Sequence, residues 1–217
     1  MYIKPPYAED DLSVLHAHMK EWSFATLISR TNAGLHVSHL PFLLDAQRGP
    51  LGTLTTHLAR ANPHCDTLRT ATEVLVVFNG PHAFVSPSWY SDQRTFPTWN
   101  YAAIHAHVRL EWIDDPEAIR EVLTRTVDTY DTPVGGSWSF GAMPEELIAP
   151  RLRAIAGVEL TITRIEGKFK LNQDRSAADR RGVIAALQRQ GTTQDKALAQ
   201  LMADREAVLP VPNERLG

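Results

Sequence analysis

Nine histidines, one cysteine and a run of proline-linked aromatics are the side chains here with chemistry to offer. A zinc site needs three or four nitrogen or sulfur ligands at close spacing, and neither His-Glu-x-x-His nor Cys-x-x-Cys occurs. His105 and His107 lie two apart, so on a strand both imidazoles share a face, whereas His36 and His39 point to opposite faces. Hydrogen-bonded sheet histidines are therefore expected, and no metal. His82 reads as a surface imidazole. A hydrolase needs a nucleophile beside a base. Ser86-Pro87-Ser88 lacks the glycines of a nucleophile elbow, and Cys65 next to His64 in a loop would not aim both side chains at one substrate. Neither a Walker A loop nor the Rossmann glycine pattern is present, which removes nucleotide binding by those routes.

The stretch from Gly80 to Tyr101 is different in kind. It carries Ser86-Pro87-Ser88-Trp89-Tyr90 and Phe96-Pro97-Thr98-Trp99-Asn100-Tyr101, two clusters that each combine proline, a hydroxyl and large aromatics. Proline fixes φ, so such segments hold their rings in place. Trp and Tyr offer flat apolar faces with one polar tip, which suits the wall of a planar heteroaromatic site. Packing into a core would use the same residues, and spacing does not separate the two readings.

These residues sit in a chain of 217, 43% hydrophobic and 22% charged, with a net charge of −3. That composition is globular, large enough to need no disulfide framework, and not basic enough to bind polyanions through total charge. A single cysteine fits a reducing compartment. The first residues lack the apolar run of a signal peptide, and no stretch approaches the ~20 apolar residues of a membrane span. A cytoplasmic protein with no membrane partner is expected.

The elements that must position the site follow from pattern. Asp10 or Asp11 caps a helix with Leu12, Leu15 and Met19 on one stripe, ending near Trp22. Strands are predicted over 24–29, 35–44 (interrupted at Pro41), 51–58, 73–78, 82–86 and 100–112, and an irregular link over 59–64. Asn79-Gly80-Pro81 reads as a turn between two of these strands. Asp114-Asp115-Pro116 starts a helix to about Tyr130, a second helix spans 145–154, and 158–171 is a strand pair or one long strand bent at Gly167. Two helical stretches follow, meeting at 190–193. Strands joined by hairpin turns with helices at the ends favour an α+β chain built on a β-barrel.

Six segments, in order, resemble one family. They are Met1-Tyr2-Ile3-Lys4-Pro5, His39-Leu40-Pro41-Phe42, His57-Leu58-Ala59-Arg60-Ala61-Asn62-Pro63, Ser86-Pro87-Ser88-Trp89-Tyr90, Pro97-Thr98-Trp99-Asn100-Tyr101 and Lys168-Phe169-Lys170-Leu171-Asn172-Gln173. The family is PaiB, the FMN-binding negative transcriptional regulators, and the resemblance runs from residue 1 to about 190. Asn172 and Asp174 depart from its pattern, which has Ser and Asn there. The resemblance implies an FMN-binding split β-barrel of the flavin-reductase and pyridoxamine-phosphate-oxidase type, with an N-terminal helix and a C-terminal helical hairpin. It also implies a homodimer with FMN at the subunit interface. The barrel domain would occupy 1–175 and the helical extension 176–217, packed on the barrel or the dimer.

FMN needs cations and donors for its phosphate, a flat seat for the isoalloxazine, and polar groups at its edge. By motif position, Arg60 is the phosphate candidate with His57, Asn62 and Ser86 as companions. Trp89, Tyr90 and Trp99 would flank the ring, Thr98 and Asn100 would address its polar edge, and Lys170 and Gln173 would reach across from the partner subunit. No catalytic constellation and no nicotinamide site are identified. The leading expectation is a PaiB-like negative transcriptional regulator, with a small flavin-dependent oxidoreductase as the alternative and a haem-binding split barrel behind it. Residues 177–203 have the outline of a helix-turn-helix, which would place DNA on the C-terminal helices. Asp195 among the would-be phosphate contacts favours instead a packed helical hairpin.

Overall fold

The computed structural model describes residues 1–208; the last nine residues of the expected 176–217 extension lie outside the described residues. The chain forms two compact units, each assembled from separated stretches.

The larger unit takes Asp10–Asn79 and Ile104–Glu166. It opens with α1 (Leu12–Glu21), capped by Asp11, whose carboxylate accepts from the backbone N–H of Ser13 (2.8 Å) and Val14. Leu15 and Met19 of the predicted stripe are buried. The strands β2 (Phe24–Thr31) and β3 (Gly34–Pro41) form a hairpin, with Gly34 at positive φ in its turn. The predicted 35–44 strand breaks after Pro41, and β4 (Leu43–Asp45) begins a new pairing with β5 (Thr53–Ala59). Phe42, at the break, is buried and meets Phe78 edge-on at 6.0 Å. The expected irregular link after β5 ends in a short helix, α2 (His64–Arg69), which begins right after Pro63.

Three long strands, β6 (Glu73–Val85), β7 (Thr98–Ile113) and β8 (Ile155–Lys170), give the sheet its order β3-β2-β6-β7-β8-β5-β4, with β1 (Ala8–Glu9) pairing with β8. The turn expected at Asn79-Gly80-Pro81 is absent, because β6 runs through it as one strand. Gly80 does not adopt positive φ. Sheet pairing has overridden the local turn preference. The 158–171 segment falls in one long strand, the second of its two expected forms, and Gly167 stays in register opposite Glu9. Leu27, Val76, Phe78, Ile104, Val158, Leu160 and Ile162 are completely buried, and each such side chain stabilises the unit by about 1.5–3 kcal/mol. Helices α3 (Pro116–Tyr130) and α4 (Glu145–Arg153) pack on each other through Ile119, Leu123, Ile148 and Leu152. Asp115 caps α3 by accepting from Ala118 N–H at 2.8 Å, with Pro116 in the first turn.

The smaller unit takes Met1–Glu9, Gly80–Ala103 and the chain from Gly167. Its core joins Val85, Phe169 and Leu171 to the apolar stripes of α5 (Ala177–Gln190) and α6 (Thr193–Val208): Val183, Leu187, Leu198 and Met202. Ser176 caps α5 and Gly191, in the left-handed conformation, ends it. Thr192 and Asp195 cap α6 reciprocally, the threonine hydroxyl donating to the carboxylate at 2.6 Å and accepting from Asp195 N–H. Thr192, which a DNA-reading helix would expose at its start, is thus spent on the cap. α5 rests on the 3-10 turn Pro87–Trp89, and Gly182 is what permits it: a Cβ there would overlap the carbonyl oxygen of Trp89.

Candidate functional site

Three predicted site residues belong to the larger unit. His57 lies on β5 opposite Gly157, and burial pushes its imidazole pKa down. Arg60 follows β5, and its guanidinium donates to the carbonyls of Arg153 (3.2 Å) and Ile155 (2.9 Å), closing the junction between α4 and β8. Asn62 accepts from His64 N–H (2.9 Å) and donates to Ser38 Oγ (3.4 Å). It thereby joins a buried knot in which His64 sits between Ser29 Oγ (2.8 Å at Nε2) and Ser38 Oγ (2.7 Å at Nδ1). Burial, followed by the neighbouring His36, holds His64 below the usual imidazole range. These contacts are the local chemistry of one unit's packing.

The other eight lie together in the smaller unit. Ser86 caps the Pro87–Trp89 turn by accepting from Ser88 N–H at 3.2 Å, which holds the backbone that leads into Trp89 and Tyr90. Trp89 is half-buried. Tyr90 is enclosed: its hydroxyl accepts from Asn172 Nδ2 at 2.9 Å, and the Arg175 guanidinium lies 5.2 Å from its ring centroid. Asn172, one of the departures from the family pattern, is therefore a structural partner of a site residue; it is also the one non-glycine residue at positive φ among those described. Asp174, the other departure, takes a hydrogen bond from Tyr7. Burial first and Asp174 second push Tyr7 up to about 12.

Thr98, Trp99 and Asn100 open β7. Trp99 is 53% exposed, with His82 at 5.7 Å and Phe84 at 6.3 Å from its ring centre, so an indole face and two smaller rings stand at the surface of β6 and β7. Lys170, on β8, donates to Thr98 Oγ1 and to the Trp99 carbonyl (2.6 Å). Gln173 turns back on its own strand, donating to the Phe169 carbonyl and accepting from Leu171 N–H (2.7 Å). Asn100 is fully buried; its amide nitrogen reaches Met202 Sδ at 3.5 Å, and its Oδ1 has no partner among the described residues.

The electrostatics centre on Lys170. Burial pushes its ammonium pKa down; Asp174 opposes this, while Lys168, Lys4 and Arg175 push the same way. Lys168 itself donates to the Tyr2 carbonyl (3.0 Å) and lies over the rings of Tyr2 and Tyr101. None of the ion pairs among the described residues includes Lys4, Lys168, Lys170 or Arg175. Three other cations and one carboxylate, Asp174, thus act on the Lys170 ammonium, which meets Trp99 through its carbonyl, while Asp179 also acts on Arg175. That donor set fits a ligand with an anionic group and a flat ring, which is the chemistry of FMN. Of these four cations only Lys170 was among the expected site residues, and the Lys168–Lys170 alternation also fits a solvated face. The Lys-Phe-Lys alternation was the available signal, since it sets both lysines on one face of a strand.

Comparison with known proteins agrees with this chemistry. Residues 1–164 match the model of the family described as "Putative FMN-binding domain". The chain is 29% identical over 205 residues to Protease synthase and sporulation protein PAI 2 of Bacillus subtilis, covering 94% of this chain and 98% of that protein. It is 28% identical to the protein AN0679 of Emericella nidulans, covering 94% and 97%. Among solved structures, the flavocytochrome Anf3 of Azotobacter vinelandii superposes with a TM-score of 0.61 at 18% identity, covering 77% of this chain and 72% of that one. The FAD and heme binding protein of Mycobacterium smegmatis gives 0.60 at 16%, covering 83% and 80%. At these identities the likeness is one of fold, and it bears out the expected α+β split barrel. With three-quarters of its length matched by the family model and a PaiB relative along nearly all of it, the chain belongs to the FMN-binding domain family of PaiB-like proteins.

Proposed function

We propose that this FMN-binding protein acts as a homodimeric, PaiB-like negative regulator of transcription, with the flavin held by the smaller unit's Ser86, Trp89, Tyr90, Thr98, Trp99, Asn100, Lys170 and Gln173. The observation that carries the reading is the half-buried Lys170 ammonium, crowded by Lys4, Lys168 and Arg175 and set beside the exposed Trp99. Uncompensated positive charge of this kind is relieved by a phosphate, and the indole gives a neighbouring seat for the ring. Arg60, the phosphate candidate by motif position, has two of its three guanidinium nitrogens committed to carbonyls, so the anchoring role passes to Lys170. Bound FMN would supply redox chemistry; the chain's own residues bind it, orient it and shield it from water.

Self-association is supported by β3, which ends the sheet and carries Leu35 and Val37 exposed on one side. In the C-terminal hairpin Asp195 is buried in its cap and Arg181 pairs with Glu206 at 4.0 Å, leaving the exposed Arg189 and Lys196 as cations for DNA.

The test is threefold on one purified preparation. Its visible spectrum should show flavin rather than a Soret band, light scattering should give a dimer, and a salt-sensitive gel shift should appear on the DNA upstream of its own gene. Steady NADH or NADPH consumption with no shift on DNA would replace regulation by the oxidoreductase alternative. A Soret band without flavin would overturn the cofactor assignment.

A further inference from the structure

Helices α3 and α4 of the larger unit leave a cavity of about 440 Å³ that the flavin reading does not use. Its volume falls within the roughly 300–1,000 Å³ of small-molecule sites. The floor is core: Leu123 and Ile148 are buried there. The walls are Trp138, Phe140, Met143, Leu147 and Ile155, and Trp138 and Leu147 remain about half exposed even though the cavity is apolar. The one charged group on the lining is Arg151.

The wall is held in place. Asp131 ends α3 and organises the following loop: its carbonyl accepts from Val134 N–H and Gly136 N–H (2.9 Å), and its carboxylate accepts from Trp138 N–H at 3.2 Å. Gly135 takes the left-handed conformation, and a Cβ on Gly136 would collide with the Asp131 carboxylate as it stands, so a side chain there would displace that carboxylate. The result sets Trp138 edge-on to Phe140 at 4.8 Å and 76°. On the opposite wall, Arg60 grips the carbonyls of Arg153 and Ile155 and so fixes the end of α4 that carries Arg151. Glu145, on the same helix, is occupied by Arg120 at 2.7 and 2.9 Å. The Arg151 guanidinium itself enters no hydrogen bond or ion pair among the described residues.

We propose that this cavity is a second binding site, for a small aromatic carboxylate, whose ring lies against Trp138, Phe140 and Met143 and whose carboxylate pairs with Arg151. A planar fork of N–H donors at the rim of an apolar, ring-lined slot selects an anionic head on a flat apolar body. Met143 supplies an adaptable thioether contact to the ring.

The chain has four methionines, so ¹³C-methyl labelling places the ligand. Titration of the full chain with 1-naphthoate should shift the Met143 methyl resonance saturably and leave the buried Met19 and Met202 in place. Arg151→Gln, an exposed change, should weaken 1-naphthoate about tenfold or more and leave neutral 1-naphthylmethanol bound as before. Three results overturn the proposal: an unmoved Met143, equal carboxylate affinity in Arg151→Gln, or a Met143 resonance that moves on diluting the ligand-free protein, which would show a second copy covering the cavity. FMN affinity is measured alongside, so failure here leaves the flavin reading standing or falling separately.

Discussion

Two polar clusters, one in each unit, meet burial in opposite ways. Around His64, every ring nitrogen has a hydroxyl partner, Asn62 ties the backbone in, and the group stays neutral. Around Lys170, donors meet a hydroxyl and a carbonyl, yet the charges of Lys4, Lys168 and Arg175 add rather than cancel. The first arrangement is closed: it fixes how β2, β3 and α2 sit together and leaves nothing for a ligand to improve. On the proposed reading the second is poised, because an arriving anion would relieve repulsion that the folded chain alone carries. The contrast separates polar groups whose hydrogen bonding is met from those whose charge is left unmet.

The sharpest break in that contrast comes from His64→Ala. It strands the buried Ser29 hydroxyl and should cost about 2–3 kcal/mol in urea unfolding while leaving FMN affinity unchanged; a matching loss of FMN binding would erase the distinction between the clusters. Lys170→Ala should do the reverse, raising the FMN dissociation constant roughly 10- to 100-fold with little loss of stability. Arg60→Ala is its control, expected to lower the melting temperature and leave FMN titration as in the parent; a greater effect on FMN than Lys170→Ala would return the phosphate to Arg60. Asn172→Ala removes the bond to Tyr90 and puts at positive φ a residue that tolerates it less well than asparagine, a cost of about 1–2 kcal/mol that shows in thermal unfolding.

The smallest effect is on pH dependence. Burial keeps folded His64 below the ordinary imidazole value of 6.5, so as pH falls through that value the unfolded chain takes up a proton before the folded one does. Stability is then fully present above about pH 6.5 and declines below it until the folded-state value is reached. Melting temperatures from pH 7.5 to 5.5 should fall, less steeply in His64→Gln, and His57 and His105, also lowered by burial, should keep part of the slope. An unchanged slope in that variant would remove His64 from the account.

Local signals were legible where the chain writes its own structure. Asp11, one of two candidates, and Asp115 stood where a helix start was expected, and each accepts the N–H its position demands. The strand periods, the break at Pro41 and the six family segments were likewise readable, and with them the barrel, its flavin and its family. Signals that depend on a distant partner were not. Asn79-Gly80-Pro81 has turn residues, yet sheet pairing carries β6 straight through, and the 59–64 link gives way to helix α2. Arg60 is an anion-hook candidate in sequence, and in the fold its guanidinium reaches the carbonyls of residues 153 and 155, which arrive beside it from about ninety positions away. Asn172 looks like a lost contact and proves to be the support of Tyr90. The sequence by itself determined which residues could do chemistry and which elements would carry them, since propensity, capping and period are properties of neighbours along the chain. Only the tertiary structure decided which polar groups were already satisfied and which charges were left uncompensated, since both depend on what packing brings alongside.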